Sequence, residues 1–158
     1  MLQARSAEEA EYKEIFEMTQ EAFRKAAGGR STGEFERNIV EATVTADPSF
    51  RKGDLRIAEA EGKIVSMMLI IRRQVRIGRA IVNDAIVSPV ATRVGYEKKG
   101  YCSLVMRNAI NYMKKQEFDI TTLWGHPWLY THYGYSPAMV SPSVAIKPER
   151  CHPTEVKD

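Results

Sequence analysis

Apolar side chains recur at every third or fourth position near the start of the chain, a spacing that predicts helices. The first helix is expected over residues 7–25, with Ser6 and Glu9 in the relation of a capping box at its start. A glycine pair at residues 28–29 ends it. A second, shorter helix is expected to run through residues 34–40. The first part of the chain is therefore predicted to form a pair of helices.

Three segments rich in Ile, Val and Met follow, and this composition is typical of strands. The first two, residues 55–60 and 64–75, are joined by a tight turn and are expected to pair as an antiparallel hairpin. The third covers residues 80–92 and contains Pro89, which cannot donate a hydrogen bond to a neighbouring strand. We therefore expect the third strand to be bulged or splayed at Pro89 and to expose backbone groups there.

Helical spacing returns at residues 101–116, and a strand-like segment follows at residues 118–124. A strand that follows a crossover helix lies parallel to the strand before that helix. The predicted fold class is therefore α/β with a mixed (α+β) sheet, in which a mostly antiparallel meander ends in one parallel, splayed strand pair.

The end of the chain combines a short helix with less regular segments. Pro127 suits the first turn of a helix, and Gly134 suits its left-handed end. A final hairpin is expected from residues 136–140 and 143–146.

Composition supports a single globular domain. The 158 residues are 44% hydrophobic and 27% charged, without an internal break in composition. We expect one domain over residues 1–147, and an extended tail or linker over residues 148–158, which are polar and aperiodic. The sequence leaves open whether a further domain belongs to the native protein and whether the chain forms a homo-oligomer.

Charge and apolar patterning argue against two classes of partner. The formal net charge is +3, and the basic residues are dispersed in pairs, so nucleic-acid binding is not expected. No apolar signal segment begins the chain, and the longest apolar run, residues 64–71, is too short to span a bilayer. A cytoplasmic protein with no membrane partner is therefore expected, and its two cysteines are expected to be reduced thiols.

The segment between the third strand and the next helix is a candidate for ligand binding. It contains Lys98 and Lys99 and ends at Gly100, directly before the helix. The first N–H groups of a helix carry partial positive charge, and glycine lets a ligand approach the backbone. The pattern indicates a phosphate site, although it matches neither the P-loop nor the dinucleotide fingerprint. The alternative is that both lysines merely solvate the start of the helix.

Two motifs resemble the GNAT superfamily of acetyl-CoA-dependent N-acetyltransferases. The loop EKKGYC at residues 97–102 resembles the family's pyrophosphate loop, Arg/Gln-x-x-Gly-x-Gly/Ala, with departures at Glu97 and Cys102. The segment GHPWLYTHYGYSPA at residues 125–138 is similar to the Gly-x-Pro-x-Tyr-Tyr-x-x-Phe-Gly-Phe-x-Pro-Ala pattern of a subgroup that includes the Eis-like and related predicted bacterial acetyltransferases. The resemblance extends to about Lys147.

The resemblance implies a GNAT-like acyltransferase fold and acetyl-CoA as co-substrate. The pantetheine arm would lie along the free backbone of the splayed strand like an added strand, and the pyrophosphate would lie on N–H groups of the loop and helix start. The cofactor-binding residues that it implies are Val90, Ala91, Thr92, Lys98, Lys99, Gly100, Tyr101, Cys102, Ser103 and Gly125.

Acetyl transfer to an amine needs a neutral amine and a proton for the leaving thiolate. The resemblance places Tyr130 as the general acid, because phenol and thiol pKa values are close enough for proton transfer. The alternative for Tyr130 is an aromatic side chain that only packs. Asp84 shares the alternating face of the third strand with Ser88 and Val90 and is the candidate general base, or else a structural carboxylate bonded to loop amides.

A covalent route and a metal site both have little support. Cys102 lies near a helix N-terminus, which would lower its pKa, but no His or Asp partner is evident in the sequence. His126 and His132 have no further ligand at metal spacing, so no metal is expected. Direct transfer is the predicted route.

The predicted function is transfer of an acetyl group from acetyl-CoA to an amine of an unidentified small-molecule or peptide acceptor, in a ternary complex. The alternative is a non-catalytic acyl-CoA-binding or regulatory module, which Glu97 and the absence of a clear base favour. Acidic residues of the second helix, such as Glu34, Glu36 and Glu41, could attract a cationic amine. The more ordinary interpretation is that they form a solvated helix face.

Overall fold

In the computed structural model, which describes residues 2–138, a mixed sheet and three long helices are followed by a short helical segment. The strands are β1 (Gln3–Ser6), β2 (Leu55–Ala60), β3 (Lys63–Ile77), β4 (Ala80–Thr92) and β5 (Ile120–Leu123). The helices are α1 (Tyr12–Ala26), α2 (Glu34–Ala46), α3 (Tyr101–Lys114) and α4 (Pro127–Tyr130). The chain divides into two compact units between His126 and Pro127.

The sheet confirms the predicted fold class. Its strand order is β1-β2-β3-β4-β5, and its neighbouring strands are antiparallel except for β4 and β5, which are parallel. The parallel pair arises because α3 carries the chain back along the sheet before β5 begins. β2 and β4 have the bounds that the sequence predicts, whereas β5 and α3 are each shorter than predicted.

A β-bulge interrupts β4 at Pro89, as the sequence predicts. On β3, Met68 and Ile70 are two positions apart, but their partners on β4, Val90 and Val87, are three positions apart. The extra residue inverts the alternation of side chains along β4.

Because of this bulge, the prediction that Asp84 and Val90 share one face of the strand is wrong. Asp84 pairs with Arg73 and Val90 pairs with Met68, and these two partners are an odd number of positions apart on β3. Residues separated by an odd number of positions point to opposite faces of a sheet. Asp84 therefore lies on the face opposite to Val90.

Helices cover both faces of the sheet. Buried side chains of α1 and α2 pack on alternate positions of β2 and β3, and the cluster includes Ile15, Met18, Val40, Leu55, Ile57, Met67 and Leu69. Arg56 alternates with Leu55 and Ile57 and bonds to Asn108 of α3 at 2.8 Å, so α3 lies on the other face. Full burial of each large aliphatic side chain contributes about 1.5–3 kcal/mol. Among residues 2–138, no helix has both the length and the apolar character needed to cross a membrane.

The start of the chain differs from the prediction. β1 pairs with β2, and Ser6 at its end accepts a hydrogen bond from Arg56 Nη1 at 3.0 Å. The predicted capping box of Ser6 and Glu9 is therefore wrong, and Glu8 and Glu11 form such a box two residues later. Pairing with β2, and not local pattern, defines this edge strand.

A buried carboxylate joins α3 to the sheet. Asp54 is fully buried, and it accepts hydrogen bonds from Arg72 of β3 at 2.7 and 2.8 Å, from Tyr112 of α3 at 3.0 Å, and from the Arg51 N–H at 2.8 Å. Arg72 also donates to Gln116 at 3.2 Å. Burial, together with the Asp54 charge, raises the pKa of Tyr112. This network holds α3 in place on the sheet.

The second unit begins with the predicted short helix. Pro127 is the first residue of α4, and a 3-10 turn over Thr131–Tyr133 continues it. Gly134 ends the turn with φ 89°, in the left-handed region, and its N–H donates to Thr131 O at 3.1 Å. The predicted final hairpin lies outside the described residues from residue 139 onward.

Candidate active site

A mostly apolar cavity of about 380 Å³ opens between the end of α1 and the end of β4. Its lining residues are Ala22, Phe23, Lys25, Ala26, Val90, Ala91, Thr92 and Glu97. The residues predicted to hold the pantetheine arm, Val90 to Thr92, therefore lie together in one cavity. Its apolar walls suit an alkyl amide chain better than a polar ligand.

The edge of β4 at this cavity can accept an added strand. β5 pairs with β4 only over residues 84–87. On that side, no other strand within residues 2–138 pairs with residues 88–92. Backbone groups at such an edge bind an extended chain through main-chain hydrogen bonds. The predicted parallel strand pair is confirmed, and its pairing ends at Val87, directly before the bulge.

The loop before α3 presents open backbone at the start of a helix. Gly100 precedes the first turn of α3 with φ 84°, and Leu104 N donates the first helical hydrogen bond to Gly100 O at 3.0 Å. The N–H groups of Tyr101 and Cys102 therefore have no partner within the helix. A Cβ built on Gly100 would meet no atom within 4 Å, so the space above this backbone is open. Ser103 is the third residue of α3 and belongs to its first turn.

Glu97 departs from the family motif, but it has a structural role in this loop. Its carboxylate accepts a hydrogen bond from Gly95 N at 2.7 Å and lies 3.8 Å from Lys25 Nζ of α1. The N–H of Glu97 itself, the N–H of Gly95 and the charge of Lys25 lower the pKa of the Glu97 carboxyl. Glu97 is therefore ionised at neutral pH and places a negative charge at the rim of the cavity.

The two loop lysines differ in their surroundings. Lys99 Nζ lies 5.0 Å from the centroid of the Tyr96 ring, in a cation–π contact. The Tyr96 ring in turn lies 6.1 Å from that of Tyr101. Lys98 is exposed and adopts φ 60°, in the left-handed region. Lys99 thus helps to fix the loop on α3, and Lys98 projects from it.

Cys102 is a poor nucleophile in this position. Burial raises the pKa of its thiol, in contrast to the expectation that the helix start lowers it. A raised pKa reduces the thiolate fraction, and the thiolate is the reactive form. The covalent route therefore loses its main support.

Asp84 is almost completely buried, at 3% exposure, but it is only partly satisfied. Its Oδ2 accepts a hydrogen bond from Thr122 Oγ1 of β5 at 2.7 Å. Its Oδ1 is buried and has no hydrogen-bond partner within the described part of the chain. Among residues 2–138, the hydrogen bond to Asp84 comes from a strand hydroxyl and one of its oxygens is unpaired, and the choice between a general base and a structural carboxylate stays a prediction. Asp84 is not among the residues that line the cavity.

The acidic residues of α2 do not share one environment. Glu34 is exposed, and Glu41 pairs with Arg37 at 3.1 Å. Glu36 has a buried Oε2 that lacks a hydrogen-bond partner among residues 2–138. The interpretation that these residues form a solvated helix face therefore fits Glu34, which is exposed, but not Glu36, which has a buried oxygen.

Two predicted site residues follow β5 in sequence. Gly125 lies between β5 and α4. Tyr130 is the last residue of α4, in the second unit, and its ring lies edge-on to that of Tyr135 at 6.1 Å. Their roles at the site stay predictions. Among residues 2–138, no group of three or more His, Cys, Asp or Glu side chains is placed to hold a metal ion.

The α1 residues of the cavity were missed by sequence reasoning. Helical spacing places Phe23 on the buried stripe of α1, but it gives no reason to select Lys25. Lys25 enters the site only because the end of α1 packs beside β4 and the loop. Only that tertiary packing, which has no local sequence signal, identifies it.

Solved structures share the fold of this chain. A GNAT family acetyltransferase from Brucella melitensis, in complex with acetyl-CoA, has a TM-score of 0.72 and 21% identity, covering 94% of this chain and 97% of that one. A glucosamine-6-phosphate N-acetyltransferase from Arabidopsis thaliana has a TM-score of 0.61 and 16% identity, covering 93% and 99%. A conserved protein of unknown function from Enterococcus faecalis has a TM-score of 0.67 and 18% identity, covering 85% of this chain and 32% of that one. No curated protein matches the chain in sequence.

The family comparison agrees with the sheet topology and with the loop before α3. The model of the acetyltransferase (GNAT) domain matches residues 3–138, which is most of the chain. The match spans the bulged β4, the glycine loop and the α4 segment together. The chain therefore belongs to the GNAT acetyltransferase family.

Proposed function

We propose that the protein transfers an acetyl group from acetyl-CoA to an amine of a small-molecule or peptide acceptor, by direct attack in a ternary complex. The observation that carries this proposal is the apolar cavity at the open edge of β4, next to a glycine loop that opens a helix. Membership of the GNAT family supports acetyl transfer in general. The acetyl-CoA bound to the Brucella protein, which has a similar fold, supports the choice of donor.

The residues present fit this donor. The first-turn N–H groups of α3 and Lys98 would hold the pyrophosphate. The β4 edge at Val90 to Thr92 would pair with the amides of the pantetheine arm, and the apolar cavity would exclude water from it. The thioester supplies an activated acyl group. The protein would orient it, accept a proton from the amine and donate a proton to the leaving thiolate.

We assign the two proton transfers to Asp84 and Tyr130. The unpaired Oδ1 of Asp84 can take a proton from the acceptor amine through water. Tyr130 gives its phenolic proton to the departing thiolate. Burial raises the pKa of Cys102, which argues against an acyl-cysteine stage, and we therefore propose that the acetyl group passes directly to the amine.

The acceptor and the wider setting are also proposals. The motif at residues 125–138 supports placement in the Eis-like subgroup, and we propose an amine acceptor. The Enterococcus protein is longer, and this chain spans 32% of it. We propose an enzyme of the cytoplasm that needs no metal and binds neither nucleic acid nor membrane. Its single domain would extend to residue 147.

The Asp84→Asn variant is expected to lower turnover by about a hundredfold, because the amide cannot accept the amine's proton. The KM for acetyl-CoA and the thermal midpoint should change little, since an amide oxygen can still bond to Thr122. The measurement is steady-state kinetics together with thermal unfolding.

Thr122→Val is the matched control for Asp84→Asn, because it removes the Asp84–Thr122 hydrogen bond, which Asp84→Asn keeps, and leaves the carboxylate in place. A Thr122→Val variant with turnover as low as that of Asp84→Asn would show that Asp84 acts through its position and not as a base.

Calorimetric titration with acetyl-CoA tests the proposed donor. We expect saturable binding with one site per chain, and competition by CoA. Failure to bind any acyl-CoA would end the proposal. Binding without turnover over a broad panel of amines would favour the alternative, a non-catalytic acyl-CoA-binding module.

A further inference from the structure

We propose that Lys25 of α1 binds the pyrophosphate of the acyl-CoA, and that Glu97 holds Lys25 at the rim of the cavity until the pyrophosphate replaces Glu97 as its partner. The inference rests on the proposed function, because it adds a ligand residue for the same co-substrate. It also gives a role to the residue at which the loop departs from its family pattern.

Lys25 and Glu97 lie at the rim of the cavity, between the proposed positions of the pantetheine arm and of the pyrophosphate. Among the residues that line the cavity, Lys25 and Glu97 are the two with charged side chains. Glu97 is followed directly by Lys98 and the glycine loop. A ligand with its arm in the cavity and its phosphates on the loop therefore passes this pair.

The pair is arranged so that its lysine can be released. Lys25 Nζ and Glu97 Oε1 are 3.8 Å apart, longer than a hydrogen bond, and the two side chains are 59% and 45% exposed. Exposed ion pairs of this kind contribute little to stability. Glu97 keeps its bond from Gly95 N when Lys25 leaves, so exchange of the lysine does not dismantle the loop.

Lys98 and Lys99 bring two positive charges to the loop, and Glu97 offsets one of them. The ionised Glu97 repels a polyanion at the position where the family motif has a basic or amide residue. Lys99 is engaged by the Tyr96 ring. Lys25 adds a positive charge that offsets Glu97, and a lysine bonded to a phosphate forms a strong, charge-assisted contact.

Calorimetry of Lys25→Met with CoA and with dephospho-CoA, which lacks the 3′-phosphate, tests this assignment. We expect binding of both ligands to weaken by about tenfold, because both contain the pyrophosphate. Lys25→Arg should restore most of the affinity. Lys13→Met is the control, since Lys13 is an exposed lysine of the same helix that does not line the cavity. Equal losses in both Met variants, or a loss confined to CoA, would overturn the assignment.

A double variant separates direct contact from shielding. Glu97→Gln is expected to bind CoA more tightly than the wild type, and adding Lys25→Met should still cost about tenfold. Disappearance of that cost would mean that Lys25 only neutralises Glu97, which contradicts the proposal. If the wild type binds no CoA, the proposed function fails. If the wild type binds CoA and Lys25→Met binds equally well, only this inference fails.

Discussion

Replacement of Asp54 by Ala is expected to lower the free energy of unfolding by about 3–5 kcal/mol. The variant leaves the Arg72 guanidinium, whose side chain is 13% exposed, without its carboxylate in a buried site. It also removes the acceptor for Tyr112 OH and for the Arg51 N–H. Chemical denaturation, followed by circular dichroism, measures the loss. Because Tyr112 lies on α3, the change should also weaken the site that α3 opens.

Asp47→Ala is the control for this prediction. Asp47 pairs with Arg73 at 2.7 Å, but the Arg73 side chain is 47% exposed, so its charge stays hydrated when the partner is removed. The double variant Asp54→Ala/Arg72→Met should be more stable than Asp54→Ala, because no uncompensated charge remains. Equal stability of the Asp54→Ala and Asp47→Ala variants would refute the role of the buried network.

The Tyr130→Phe variant is expected to lower turnover by about a hundredfold or more, while the Kd for acetyl-CoA stays nearly unchanged. The phenol is the proposed proton donor to the leaving thiolate, and phenylalanine keeps the ring but loses the proton. Phenylalanine also keeps the edge-on ring contact with Tyr135. Steady-state kinetics and calorimetry give the two quantities.

Tyr133→Phe provides the comparison for Tyr130→Phe, because it removes the same hydroxyl from the same segment. We expect it to retain most of the wild-type turnover. Parallel losses of turnover and affinity in Tyr130→Phe, or the same loss in Tyr133→Phe, would assign Tyr130 a structural role.

The order of elements could be predicted from the sequence because it depends on local signals. Strand composition and turns define β2 and β4, and helical spacing with a preceding glycine defines α3. Pro89 predicts the bulge because proline cannot serve in a regular ladder. The parallel pairing of β5 follows from chain topology. These signals together place the glycine loop beside an open strand edge, which is most of the candidate site.

The remaining features depend on contacts between distant segments. β1 is a four-residue edge strand with few apolar side chains, and only its pairing with β2 reveals it. The face of Asp84 was mistaken because the bulge inverts the alternation by which faces are counted. The pKa of Cys102 is raised by burial, and the burial of a single side chain has no local sequence signal. Lys25 enters the site through packing of α1 beside β4.

Glu97 replaces the basic or amide residue of the family's phosphate loop. In sequence it weakens the match to the phosphate loop, because it replaces a donor with a negative charge. In the structure its carboxylate caps Gly95 and lies beside a lysine from α1. Under the proposed function, a loop with Glu97 would still bind a phosphate, because Lys25 would offset the charge of Glu97.

The most direct test of the central claim is to incubate the purified protein with acetyl-CoA and a panel of amines, and to measure free thiol and acetylated amine together. The account predicts thiol release that requires both protein and amine, matched by an equal amount of amine that has gained one acetyl group by mass spectrometry. Thiol release that is independent of the amine, or acyl-CoA binding with no acetylated amine over a broad panel, would contradict it.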